Sequence, residues 1–389
     1  MRGDAVSLDP GSQARALIVS QRRRQPTMAR SLRYEFEDLV SALDRVELVA
    51  PGPASRRWHR IHQASAVLER VSPGASALLS PSALGSPRHE LVLVDIQTTW
   101  DLLPLEPLAA FLRRGRIRAC IVDEVFSHRL HERAGELRLL SQFDLLFSTL
   151  EWVVDTLAEA TGRPAEFLPP SVDALGLCPF PSGPPRKIDV LAVGRQPPET
   201  HQALLEEAER RGWLYLYDRE GGDSRAPDHQ AHRRRVSDLL RRSRYFLCYP
   251  GKIDRPDETG GKEEFGFRYF EGMGAGTLLL GQRPATPSAE RLAGWPDAVV
   301  PLPFGGREIS RWLDALEQNP ARQEEVRRRN VLEALGHHDH VHRWGRILAA
   351  AGLGESAPMA ARRAELGRRM ELVRATRGPE EVTPVPASG

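Results

Sequence analysis

Short apolar runs of strand length alternate with segments of helical spacing along most of this chain, and they do so in two successive series. In the first, the strand candidates are Ala16–Ser20, Val46–Ala50, Leu91–Asp95, Arg118–Asp123 and Asp144–Ser148, with helical spacing over 30–45, 106–114 and 151–161. In the second, Ile188–Val193, Trp213–Tyr217, Tyr245–Tyr249, Thr277–Leu280 and Ala298–Val300 alternate with helices predicted over 201–211, 231–242, 267–275 and 308–317. Strand–helix alternation of this kind predicts a parallel, doubly wound sheet. The stretch 167–186 between the series is rich in Pro, Gly and Ser, as a linker should be. With 389 residues the chain is long enough for two domains, each with its own core.

The expected division is an N-terminal extension over 1–12, a first α/β domain over 13–170, a linker over 171–187 and a second α/β domain over 188–335. A helical piece spanning 321–352 is expected to close the ordered chain, its 336–352 part crossing back onto the first domain. The tail 353–389 is Arg-rich with helical spacing, then Pro-rich from Gly378 on, and is expected to be partly disordered.

Composition narrows the function classes. A formal net charge of +2 lacks the broad basic footprint of a nucleic-acid binder. Cys120, Cys178 and Cys248 are odd in number and widely spaced, which fits unpaired thiols in a reducing compartment and offers no zinc spacing. Met1 to Asp9 is mostly polar and no apolar run reaches the ~20 residues needed to span a bilayer, so the expectation is a cytoplasmic protein. Nearly all basic charge is arginine. The only lysines are Lys187, Lys252 and Lys262, and two of these cluster just before the most informative segment of the chain.

That segment, 263–276, reads Glu-Glu-Phe-Gly-Phe-Arg-Tyr-Phe-Glu-Gly-Met-Gly-Ala-Gly. Two glutamates eight apart are common, but Phe265, Gly266 and Gly276 at fixed offsets from them are expected by chance on the order of once in a thousand such chains. Gly266 permits a turn and close backbone approach, and a short helix follows that Gly276 ends. A helix start behind a glycine turn presents free N–H groups and a positive dipole end to an anion such as a diphosphate. Glu263 in the loop and Glu271 one turn into the helix each offer two acceptor oxygens, which suits pairs of sugar hydroxyls. The same pattern would also serve as a plain amphipathic core helix, with Phe267, Phe270 and Met273 buried.

The frame resembles the donor-site motif of retaining GT-B glycosyltransferases, Glu-x-Phe-Gly-x4-Glu-Ala-Met-Ala-x-Gly. The polar insertion before Glu263 and the form Arg-Tyr-Phe-Glu-Gly-Met-Gly-Ala-Gly-Thr are similar to the bacterial spore-protein-like branch. The order Phe147-Ser148-Thr149, Phe167-Leu168-Pro169, Val172-Asp173 and Val193-Gly194-Arg195 follows the family across about 90–350. The resemblance implies a GT-B-like fold, two Rossmann-like domains facing across a cleft, and transfer of a sugar from a nucleotide-diphosphate donor with retention of configuration. It implies no cofactor and no bound metal. Glu263, Arg195 and Lys262 are the expected catalytic set, and Glu271, Gly266, Phe267, Lys252, Gly194 and Tyr249 the donor-binding set, with Glu271 on the ribose.

Departures from the family fall mostly on the acceptor side. Thr200 and His201 stand where relatives carry a phosphate-binding lysine, Val122-Asp123 stands for His-Asp, and Gln21-Arg22-Arg23-Arg24-Gln25 replaces a glycine-rich acceptor loop. Lys252 or Lys262 is therefore expected to supply the missing charge. Asp123 and His128, at the end of a strand, are the acceptor-side candidates. The acceptor itself, whether glycan, lipid-linked or small molecule, is not readable. A catalytically silent binding or structural protein of the same fold is the alternative, and a sugar-nucleotide epimerase a further one. His337, His338, Asp339, His340 and His342 are too nearly consecutive to make a compact metal site. The arginines at 22–24, 362, 363, 368 and 369 either face water or make peripheral contact with an anionic membrane.

Overall fold

The computed structural model describes residues 14–52, 88–102, 108–132, 134–194, 196–218, 224–302, 305 and 308–376. Two parallel sheets organise them. The first runs in the order β2-β1-β3-β4-β5-β6, built from β1 (Ala16–Val19), β2 (Val46–Val49), β3 (His89–Ile96), β4 (Gly115–Val122), β5 (Leu145–Ser148) and β6 (Ala165–Phe167). The second runs β11-β10-β9-β7-β8, from β7 (Ile188–Ala192), β8 (Tyr215–Tyr217), β9 (Ser243–Cys248), β10 (Leu278–Gly281) and β11 (Val300–Pro301). This is the two-sheet α/β architecture of a GT-B-like fold.

The strand sequences explain their positions. Ala16–Val19 and Leu91–Val94 are wholly buried, since helices cover both faces of a parallel sheet and leave no side for alternating polar residues. Edge strand β2 is only half-buried. Ala16 pairs with Val46 on one side and with Leu91 on the other, so the order of winding reverses at β1. It reverses again at β7, which lies between β8 and β9. Open sheets of this kind bind ligands outside the strand C-termini at such reversals.

Ala165–Phe167 is a sixth strand that was not among the candidates of the first series, because Leu146 to Ser148 present a free sheet edge that these residues complete in register. The helical piece expected over 321–352 is also two helices. Pro320–Glu333 runs into a π-helical turn at Ala334–His338, and Asp339 then caps a new helix, His340–Ala350, by accepting from the Val341 N–H. That helix packs on the first sheet's helix Ser31–Leu43: Trp344 is fully buried and its Nε1 donates to Asp44 at 2.8 Å. Arg343 donates to the carbonyls of Pro169 and Pro170.

The Arg-rich stretch is the helix Ala357–Ala375, with Met359, Leu366 and Val373 buried. Its arginines are bound internally, Arg362 to Asp339 and Asp173, Arg363 to Glu355, and Arg368 and Arg369 to Glu365. Arg22 likewise pairs with Glu37 and Asp38. Among the described residues no helix is long and apolar enough to cross a membrane. The extension 1–12 and the Pro-rich end from Gly378 lie outside the described residues.

Between the sheets, helix Ser31–Leu43 faces helix His229–Arg241. Asp38 accepts from His229 and Gln230, Tyr34 meets the His229 ring edge-on, and Thr27 bridges Arg225. The two halves are thus joined by polar pairs flanking a cleft.

Candidate functional site

A cleft of about 750 Å³ opens at the C-terminal ends of β7 and β9, with Met28, Ser31 and Leu32 of the first half on its opposite wall. The motif supplies its floor. Gly266, extended at φ −82° and ψ 168°, leads into helix Phe267–Gly274, and no side chain caps that helix start. Gly266, Phe267, Arg268 and Glu271 all line the cleft. The helix is buried on nearly every side, with Tyr269, Phe270 and Met273 fully so, which fixes where its first turn points. Gly272, where the family motif has alanine, lies against Leu279, Phe246 and Thr277, and a β-carbon there would overlap Leu279.

Gly194 ends β7 in the left-handed region at φ +74°. A β-carbon at this position would strike the Arg268 guanidinium, which lies across it. The left-handed dihedral is what favours glycine here. Tyr249, after β9, also lines the cleft and donates its hydroxyl to the Leu302 carbonyl. His201 lines it too and meets the Tyr215 hydroxyl at 2.9 Å, while Thr200 beside it is fully buried.

Glu271 stands in a chain of contacts that crosses to the first half. Its Oε1 accepts from Arg233 Nη1 at 2.5 Å, and Arg233 Nε donates to Glu35 Oε1 at 3.2 Å. Glu35 Oε2 lies 3.4 Å from His340 Nε2, whose Nδ1 meets Ser171 Oγ at 2.8 Å. Burial works to raise the Glu35 pKa, yet Arg233 and His340 bring it down to about 2. His232, also in the cleft wall, is lowered by burial and by Arg233 next to it.

Of the expected donor residues, Gly194, Tyr249, Lys252, Gly266, Phe267 and Glu271 come together in this cleft. Lys252 sits at its mouth with φ +56°, its Nζ 3.0 Å from Glu124 across the cleft and 3.1 Å from Glu258. Arg195 lies outside the described residues.

Four expected residues take other places. Glu263 is not among the residues that line the cleft; its carboxylate accepts from Gln282 Nε2 at 2.6 Å and from the Ala285 N–H at 2.8 Å, tying the loop before the helix to the segment after β10. Lys262 points instead over the Trp152 ring, 4.3 Å from its centroid. Asp123 accepts from the Thr149 hydroxyl and lies 3.7 Å from Arg33 Nη2, with burial raising its pKa. His128 Nε2 meets the Asp257 carbonyl at 3.0 Å, and its ring packs on Gly260.

Arg233 and Arg268 were not singled out from the sequence. One signal for Arg233 existed: Arg233, Val236 and Leu240 are the buried positions of helix His229–Arg241, so an arginine sits on the apolar stripe. In a chain with 54 basic residues, an arginine inside the run His232-Arg233-Arg234-Arg235 reads as a solvated face. The histidines at 337–342 form no metal cluster among the described residues. His338 packs on Phe270 at 4.4 Å, and burial lowers its pKa. A second cavity of about 510 Å³, lined by Trp295, Trp312 and Arg283, lies at the ends of β10 and β11.

The fold and this strand-end cleft define a protein of the GT-B architecture. Residues 195–349 match a family model described as glycosyl transferase-like. Among solved structures, an α,α-trehalose-phosphate synthase (UDP-forming) from Burkholderia vietnamiensis is similar over 88% of this chain and 98% of its own, at 11% identity and a TM-score of 0.52. HepE from Anabaena, solved with UDP-glucose, is similar over 87% and 99%, at 12% identity and a TM-score of 0.48. The likeness to the synthase is one of fold. No curated protein matches the chain.

Proposed function

We propose that this chain is a glycosyltransferase that takes a sugar from a nucleotide-diphosphate donor bound in the 750 Å³ cleft and passes it, with retention of configuration, to an acceptor entering from the first half. One observation carries the reading: an uncapped helix start, an arginine laid over a left-handed glycine and a buried carboxylate line a single cleft at the reversal of a parallel sheet. The diphosphate would lie against the first turn of helix Phe267–Gly274 and Arg268. There the N–H groups and the guanidinium are held in place before charge develops on the leaving group, which is the condition for electrostatic stabilisation. Glu271 would accept from the ribose hydroxyls. Lys252 would join the phosphates only by exchanging Glu124 or Glu258, so its contribution is coupled to opening of the cleft mouth. The part of Arg195 is taken from the motif alone. Retention rests on the motif resemblance.

Because the fold is shared with a UDP-forming synthase, uridine diphosphate is the first nucleotide to test. Titration calorimetry with UDP, GDP, ADP and dTDP should show binding of at least one. Incubation with the matching sugar donors and analysis by product mass, followed by proton NMR of the first-formed product, then reads the transfer and its anomer. No nucleotide binding, or binding without hydrolysis or transfer of any donor, would leave a silent binding protein as the better description.

A further inference from the structure

The second cavity, about 510 Å³ at the ends of β10 and β11, shares no lining residue with the cleft. Its size lies within the ~300–1,000 Å³ typical of small-molecule sites. Two indoles line it. Trp295 is held by its Nε1, which donates to Oδ1 of the fully buried Asn330 at 2.7 Å, and Trp312, on helix Ile309–Glu317, is left 37% exposed. Gln282, Arg283 and Asp297 stand with them. Asp297 adopts the left-handed region at φ +58°, a strained position for a residue other than glycine and one that recurs at binding sites.

The charges of this cavity are already matched. Arg322 meets Asp297 through Oδ2 alone, at 2.5 and 2.6 Å, and Arg283 gives Nη2 to Glu290 at 2.8 Å and Nη1 to the Ala293 carbonyl at 3.3 Å. An anion or a cation would find no uncommitted countercharge. What remains is hydrogen-bonding capacity. Among the described residues, Asp297 Oδ1, the Gln282 side-chain oxygen and Arg283 Nε take no partner, and the two oxygens are open to solvent. The ligand that suits such a set is neutral, carries hydroxyls that both donate and accept, and offers an apolar face to the indoles. A pyranose does all three, since its C–H bonds, polarised by the adjacent oxygens, meet the negative face of an indole while its hydroxyls reach the rim.

We infer that this cavity is a carbohydrate-binding site, separate from the cleft, that holds one neutral pyranose residue of a glycan against Trp295 and Trp312, with Asp297, Gln282 and Arg283 on its hydroxyls. The site does not depend on the nucleotide-donor reading, because a silent protein of this fold would carry it equally. Gln282 braces it against the motif: its Nε2 donates to Glu263 at 2.6 Å, and its backbone carbonyl accepts from the Tyr269 hydroxyl at 2.6 Å.

The test is titration of the full chain with maltotriose, cellotriose, mannotriose and triacetylchitotriose, read by tryptophan fluorescence and saturation-transfer NMR, with uridine and a sulfated disaccharide as controls. At least one trisaccharide should bind saturably and shift the fluorescence. Trp312→Ala should weaken that binding at least about tenfold, as truncation of an aromatic anchor does, and Asp297→Asn by a similar factor. Any nucleotide affinity should stay within about twofold in both variants. No saturable binding of any trisaccharide, affinity unchanged in both variants, or binding of uridine or the sulfated sugar alone overturns the inference and leaves the donor reading standing. Displacement of the trisaccharide by a nucleotide would put the sugar in the cleft and overturn it as well. The wild-type titration and Asp297→Asn decide the matter even where Trp312→Ala folds poorly.

Discussion

Two buried arginines, one in each half, stand beside strand ends with a pair of carboxylates and one nitrogen lacking a partner. Arg33 donates to Asp95 at 2.5 Å and lies 3.7 Å from Asp123, with its Nε unpaired. Arg233 donates to Glu271 and Glu35, with its Nη2 unpaired. The chemistry is the same and the placing is not. Arg33, on helix Ser31–Leu43, and its acids line no part of the cleft, whereas Arg233 and Glu271 line it. Around Arg33, burial pushes Asp95 up to about 7, since two carboxylates share one guanidinium. Around Arg233, the second acid is met by a histidine and Glu35 falls to about 2. A charged cluster of this kind is scaffold when walled in and recognition when it faces a cavity, and only access tells them apart.

The largest expected effect tests the scaffold side. Arg33→Ala leaves two buried carboxylates uncompensated and should cost about 3–5 kcal/mol of stability by chemical denaturation. Any nucleotide affinity measured below the transition should survive. A stable Arg33→Ala protein that has lost nucleotide binding would reverse the assignment of the two clusters.

Next is Glu271→Gln, which should weaken donor binding by about 1.5–3 kcal/mol, the range for a hydrogen bond to a charged group. Its melting temperature should fall less than that of Arg33→Ala, because Arg233 keeps Glu35. Unchanged affinity in the folded variant would remove Glu271 from the site.

The two clusters should also titrate in opposite senses. Asp95 holds its proton longer in the folded than in the unfolded chain, so its contribution to stability falls as pH rises from about 4 to about 7. Burial brings Glu264, which accepts from the Trp152 N–H, to about 7 as well, and it adds to the same limb. Glu35 is depressed, so its contribution is present above about 4.5 and is lost as pH falls toward 2. Stability measured against pH should show both limbs, with Asp95→Asn flattening the upper and Glu35→Gln the lower. If Asp95→Asn leaves the slope between pH 4 and 7 unchanged, Asp95 is ionised and fully paired.

The smallest effects distinguish the lysines. Lys252→Ala should lower affinity for nucleoside diphosphate more than for monophosphate, and Lys262→Ala should change neither by more than about twofold, because Lys262 lies over Trp152. A selective diphosphate loss in Lys262→Ala would mean that the loop rearranges when the donor binds.

Much of the architecture was legible because parallel strands buried on both faces leave continuous apolar runs, such as Ala16–Val19 and Leu278–Leu280, that no other element would need. Glu271, Gly266 and Gly194 were legible for a related reason: a turn, a helix start and a carboxylate at fixed spacing are local, and the chain carries them wherever it folds. What the sequence could not rank was one glutamate or arginine against another. Glu263 and Glu271 look alike in the motif, but packing turns one toward Gln282 and the Ala285 N–H and the other toward Arg233 and the cleft. Arg233 meets Glu35 from 198 residues away, a pairing set by how two helices of different halves pack. Periodicity and spacing are properties of neighbours along the chain, while the partner of a buried charge is chosen by tertiary packing, so the sequence by itself determined the sheets and the motif and only the folded structure decided which charged groups meet in the cleft.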